Sequence, residues 1–128
     1  MNLLLDTHVA LWAITDSERL TGRARQLIQE PASVIWVSVV SLWEIATKHG
    51  LDRGDMPVSS QQALLYFKAA GYRILSLDAA HVLALQDLPA HHQDPFDRML
   101  VAQALTEPMR LMTHDAMVAR YSDTVIRL

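Results

Sequence analysis

The run Val34-Ile35-Trp36-Val37-Ser38-Val39 constrains this chain most, because it is apolar on both alternating faces apart from one serine. A strand with one wet face alternates apolar and polar residues, so a strand like this one must be covered on both sides. Leu3-Leu4-Leu5 at the start, Tyr72 to Leu77, and Leu111-Met112-Thr113 read as further strands, with Thr124 to Leu128 closing the chain. Helical patterns lie between them. Val9, Ala10, Trp12 and Ala13 mark one, and Ser17 to Glu30 forms a second that stops at Pro31. Leu42 to His49 follows Ser41 and ends at Gly50, and Ser59-Ser60 opens a helix that runs to Ala70. Asp78 caps a helix ending before Pro89, and Asp94-Pro95 opens one running to about Glu107. This alternation predicts an α/β fold, an α/β/α sandwich around a central parallel sheet of four to five strands. With 128 residues and no internal repeat or linker, residues 1–128 form one domain.

Composition narrows the chemistry. With no cysteine, a disulfide scaffold, a thiolate zinc site and a thiol nucleophile are excluded. No stretch approaches the roughly 18 to 20 apolar residues of a membrane span, and Asp6 interrupts the only apolar start. A cytoplasmic protein without a cleaved signal or membrane partner is the default expectation. The formal charge of -3 argues against a nucleic-acid binder that works through a broad basic face.

In a parallel α/β sheet, ligands bind outside the carboxyl ends of the strands. Asp6 directly follows the first strand, and Asp115 directly follows the fourth. Glu44 falls in the first turn after the second strand. Asp94 and Asp97 open a helix whose start lies at the same edge. Crowded carboxylates must take up protons or a cation. Oxygen donors without cysteine select Mg²⁺ or Mn²⁺ over zinc, and such ions suit phosphodiester hydrolysis.

Each acid also has a plain structural role available. Asp6 can cap the first helix, Glu44 completes a capping box with Ser41, and Asp94 before Pro95 is a near-ideal cap. Asp97 gains from the helix dipole whatever else it does, and Asp115 can cap the last short helix. His91 and His92 are adjacent, point in different directions and read as loop polarity. His8 and His114 flank site acids, where water orientation and packing both remain open. Trp12, Trp36 and Trp43 read as core or interface residues more readily than as base-stacking platforms. The Gly-x-Ser-x-Gly elbow of serine hydrolases and a glycine-rich phosphate loop are both absent from the sequence.

Four stretches, in order, carry a resemblance. They are Leu3-Leu4-Leu5-Asp6-Thr7-His8, Val37 to Ala46 containing Ser41-Leu42-Trp43-Glu44, Asp94-Pro95-Phe96-Asp97-Arg98 continuing to Ala104, and Leu111-Met112-Thr113-His114-Asp115. Together the chain resembles the PIN-domain family, specifically the VapC-like toxin ribonucleases of bacterial toxin–antitoxin pairs. The resemblance implies a Mg²⁺- or Mn²⁺-dependent endoribonuclease with its acidic site on Asp6, Glu44, Asp97 and Asp115. It prefers Asp97 to Asp94, and matches Thr7 and Thr113 to positions where the family often carries a hydroxyl. It also implies an RNA substrate, a homodimer and an antitoxin that covers the site.

On this view Asp6, Asp97 and Asp115 hold the metal, and Glu44 completes a second position or orients water. Thr7, Thr113 and Asp94 lie beside the substrate, with Arg98, Lys48, Arg23 and Arg25 as candidate phosphate contacts. Two alternatives stand beside it: a catalytically silent RNA- or protein-binding module, and a Mg²⁺-dependent phosphatase. The second lacks the Asp-x-Asp that a HAD-type enzyme carries after its first strand. Setting the four site acids aside leaves ten acids against eleven bases, so the acidic excess is itself a mark of the site.

Overall fold

The computed structural model describes residues 1–51 and 56–128. Five parallel strands form one sheet: β1 (Asn2–Leu5), β2 (Val34–Ser38), β3 (Arg73–Leu75), β4 (Arg110–Thr113) and β5 (Ile126–Arg127). Their spatial order is β3-β2-β1-β4-β5. Seven helices accompany them among the described residues: α1 (Thr7–Ile14), α2 (Gly22–Gln29), α3 (Val39–His49), α4 (Ser60–Ala69), α5 (Ala79–Leu85), α6 (Pro95–Thr106) and α7 (Ala116–Ala119).

The sheet is buried on both faces, as its strands require. Leu3 and Leu5 join one core cluster with Val9, Ala24, Ile45 and Phe67 from the helices α1 to α4. Leu4 points the other way and packs with Leu100, Val101 and Val118 from α6 and α7. The chain steps outward from β1 through β2 to β3, then returns to lay β4 against the other side of β1. This reversal places the topological switch point between β1 and β4, where a ligand crevice is expected. Asp6 and Asp115 leave those two strands.

Several boundaries differ from the sequence reading, and three of them bear on the site or its supports. Helix α2 begins at Gly22, not Ser17, because Thr21 accepts the Ala24 N–H and caps it. Residues 17–20 instead turn on Ser17, which takes the N–H of Arg19 through its hydroxyl and that of Leu20 through its carbonyl. Helix α3 begins at Val39, not after Ser41, because Ser38 Oγ accepts the Val40 N–H at 3.0 Å. Ser41 is therefore inside the helix, and Glu44 sits in its second turn and not in a capping box. Strand β3 is also shorter than Tyr72 to Leu77. It is an edge strand paired only with β2, and the chain leaves it toward the cap of α5. The α4 boundaries match, with a Ser59–Gln62 capping box at the start and Gly71 at φ +84° past the end.

Candidate metal and nuclease centre

Asp6, Glu44, Asp94, Asp97 and Asp115 line one cleft of about 210 Å³, joined by Lys48 and by His8, His92 and His114. Asp6 takes the capping role that its position suggested and keeps its second oxygen in the cleft. Its Oδ1 accepts the Val9 N–H at 2.8 Å and caps α1, while its Oδ2 accepts the Thr113 hydroxyl at 2.6 Å. The same Thr113 oxygen accepts the Asp115 N–H at 3.0 Å, so one hydroxyl ties the ends of β1 and β4 together. Asp115 likewise divides its oxygens. Oδ1 takes the Met117 N–H at 2.7 Å as the α7 cap, and Oδ2 faces His92 Nε2 at 3.0 Å.

Asp94 caps α6 through Oδ1, accepting Phe96 N–H at 2.8 Å and Asp97 N–H at 3.1 Å. That cap turns Asp97 into the cleft, where its Oδ2 lies 3.2 Å from His92 Nε2. Glu44 is buried on α3. Its Oε1 accepts the Thr7 hydroxyl at 2.6 Å, and its Oε2 meets Lys48 Nζ at 2.6 Å. The Thr7 oxygen also lies 2.9 Å from that of Ser41.

The electrostatics separate these acids. Burial pushes Asp97 up to about 7, and the charges of Asp94, Asp6 and Glu44 add to that against the opposing pull of His92. Burial also raises Asp6, more than the Thr113 and Val9 hydrogen bonds and the nearby His114 and His8 lower it. Asp115 is less buried. Burial is the largest single influence and raises it, but the hydrogen bond and charge of His92 with the Met117 and Val118 N–H groups together hold it below the ordinary range. At Lys48, partial burial opposes the charge, but the hydrogen bond and charge of Glu44, with Asp94 and Asp97 behind it, raise the ammonium overall.

The donor set suits a hard divalent cation. Asp6 and Asp97 present oxygens whose negative charge is too little compensated by protein to remain ionised comfortably, and a cation between them would supply that compensation. Glu44 is already neutralised by Lys48, so it is the least available of the four. His92, Asp97 and Asp115 place ligating atoms within 4.8 Å of one another.

His92 is the residue that sequence reasoning missed. Its neighbour His91 does turn elsewhere, meeting Tyr121 ring to ring at 5.0 Å. His92 enters the cleft because its Nδ1 accepts the Asp94 N–H at 3.0 Å and its own N–H donates to the Tyr121 hydroxyl at 2.9 Å. The available signal was its spacing two residues before a helix cap. The basic candidates scatter. Lys48 lines the cleft, whereas Arg98 directs its guanidinium to the carbonyls of Leu85 and Leu88 at 3.4 and 3.5 Å. Arg25 pairs with Asp16, and Arg23 is exposed on α2. Trp43 is not a core residue, being 57% exposed.

The sheet order β3-β2-β1-β4-β5 brings acids from four segments to one cleft at its switch point. The PIN domain profile matches residues 3–123, and the chain belongs to the PIN-domain family. Ribonuclease VapC22 of Mycobacterium tuberculosis is 34% identical over 117 residues, 88% of this chain and 86% of the relative. Among solved structures, VapBC2 of Rickettsia felis bound to a promoter DNA fragment matches with a TM-score of 0.70 at 17% identity. That match covers 100% of this chain and 98% of the other. VapBC-1 of nontypeable Haemophilus influenzae matches at 0.64 and 14% identity, covering 100% and 97%. At such identities these structures show a shared fold.

Proposed function

We propose that this protein is a divalent-metal-dependent endoribonuclease acting as the toxin of a toxin–antitoxin pair. The observation that carries this is the placement of Asp6, Asp97 and Asp115 on one cleft at the switch point, with Asp97 raised to about 7 by burial and by its acidic neighbours. The likeness to Ribonuclease VapC22 supports RNA as substrate, and the likeness to VapBC complexes supports a protein antitoxin as partner.

Asp6 and Asp97, with Asp115 beside them, would hold Mg²⁺ or Mn²⁺. When bound, the metal supplies an activated water and offsets charge on the phosphate. The chain's own residues prepare that site. Thr113 fixes the rotamer of Asp6 so that the carboxylate is aimed before the ion arrives. Thr7 and Lys48 hold both oxygens of Glu44, which leaves it placed to steer water and not to move as a free ligand. Among the described residues Lys48 is the one lysine or arginine that lines the cleft, and it is the contact proposed for a non-bridging phosphate oxygen. The test is cleavage of total RNA with Mg²⁺, Mn²⁺ or EDTA, by the parent and by Asp6→Asn. The expected result is metal-dependent cleavage by the parent alone. Equal cleavage by Asp6→Asn, or no cleavage with no metal-dependent rise in the melting midpoint, refutes the assignment.

A further inference from the structure

Beside the cleft, α3 and α6 carry an aromatic pair that the acid chemistry leaves unused. Trp43 precedes Glu44 and is 57% exposed, a large apolar surface left in water. Phe96 precedes Asp97, and the two rings meet with centroids 4.8 Å apart at 77°. Because that contact is near-perpendicular, Phe96 does not lie flat on the indole. On the Phe96 ring sits Lys48 Nζ, 5.8 Å from its centroid, and the same nitrogen reaches Glu44 at 2.6 Å. The pair is thus joined to the acidic cleft through the neighbours of two of its carboxylates.

We propose that Trp43 is a stacking platform for one nucleobase beside the reactive phosphate, steadied by Phe96, with Lys48 on the adjoining phosphate. The inference rests on the ribonuclease assignment above. Flat π-faces prefer offset stacking, and base–aromatic stacking tolerates any base. A platform also answers a charge problem. With a net charge of -3, the chain has little long-range attraction for a polyanion, so its affinity must come from contacts that salt does not screen. An exposed indole, joined through Phe96 to the cleft lysine, supplies one. An apolar protein segment is the competing occupant, and it differs in a measurable way: its binding does not depend on nucleobases.

The experiment titrates oligouridylate, and an abasic ribose-phosphate oligomer of equal length, into the parent, Trp43→Phe and Trp43→Ala with Mn²⁺ present. Indole fluorescence and cleavage are read together. Oligouridylate should quench the parent, and Trp43→Phe should lose that quenched component while keeping most of the affinity. Trp43→Ala should raise KM about tenfold or more, with a parent-like melting midpoint because the side chain is exposed. The abasic oligomer should neither quench nor respond to the substitution. Cleavage by Trp43→Ala at the parent KM, without base-dependent quenching in the parent, overturns the platform and leaves the ribonuclease assignment intact. Base-dependent quenching in a parent that cleaves no RNA keeps the platform and removes the ribonuclease. Neither quenching nor cleavage overturns both.

Discussion

His92 accepts the Asp94 backbone N–H on Nδ1 at 3.0 Å, and this fixes what its other nitrogen does. With Nδ1 an acceptor, the neutral ring carries its proton on Nε2, which lies 3.0 Å from Asp115 and 3.2 Å from Asp97. His92 in this tautomer therefore donates between two carboxylates, the arrangement expected of a group that orients metal ligands without joining them. His92→Ala should weaken Mn²⁺ binding about 10- to 100-fold, the usual effect of losing a group that orients ligands. Calorimetric titration of metal into the variant checks this. If His92 is a direct ligand, the stoichiometry or geometry of binding should change, and His92→Gln should not rescue it.

Asp97 makes the metal-free protein sensitive to pH in a direction opposite to that of most acids. Its folded value of about 7 exceeds the roughly 3.9 of an unfolded aspartate. The folded state then binds the extra proton between these values, so the contribution of Asp97 to stability is full below about 4 and is lost as pH rises through 7. Buried Asp6 shifts the same way. In EDTA, the unfolding free energy from urea titration at pH 5.5 should exceed that at pH 8 by an amount on the order of 2 kcal/mol, and Asp97→Asn should flatten the difference. Mn²⁺ should restore stability at pH 8 in the parent and not in Asp97→Asn. A parent more stable at pH 8 than at pH 5.5 in EDTA contradicts the electrostatic account.

Thr113 serves two acids with one hydroxyl, donating to Asp6 and accepting from the Asp115 N–H. Thr113→Val keeps the shape and removes both bonds. Asp6 then loses its strongest charge-lowering contact while remaining buried. The expected cost in the metal-free protein is about 1 to 3 kcal/mol, with a fall in RNA cleavage. Thr113→Ser should recover both. Thermal melts together with cleavage rates measure the pair.

The architecture was legible because strands buried on both faces leave a chain little choice, and because Asp6 and Asp115 sit at strand ends that nothing but topology could bring together. The helix starts at Gly22 and Val39 were not legible. Val39 is β-branched, and only the Ser38 hydroxyl bonding the Val40 N–H decides that the strand has ended. Cap and ligand looked like rival roles for Asp6 and Asp115, yet a carboxylate has two oxygens: in each residue one caps a helix, and the other turns to the cleft, where it meets Thr113 or His92. His92 stayed hidden because its position depends on a bond to the Asp94 backbone and on Tyr121, 29 residues away.

The same geometry divides the basic residues that sequence treated alike. Lys48 lines the acidic cleft, while the Arg98 guanidinium faces the carbonyl end of α5 at Leu85 and Leu88. Each phosphate contact contributes about one unit to the slope of log affinity against log salt, somewhat less for single strands. Lys48→Met should therefore weaken RNA binding for every sequence and reduce that slope by nearly one. Arg98→Met should instead lower the melting midpoint, through lost capping of α5, and keep the parent's slope. Anisotropy titrations of a labelled RNA oligomer across a salt series, with a thermal melt of each variant, read both quantities. A reduced slope in Arg98→Met, with the parent's slope in Lys48→Met, would move the phosphate path to the α6 side of the cleft.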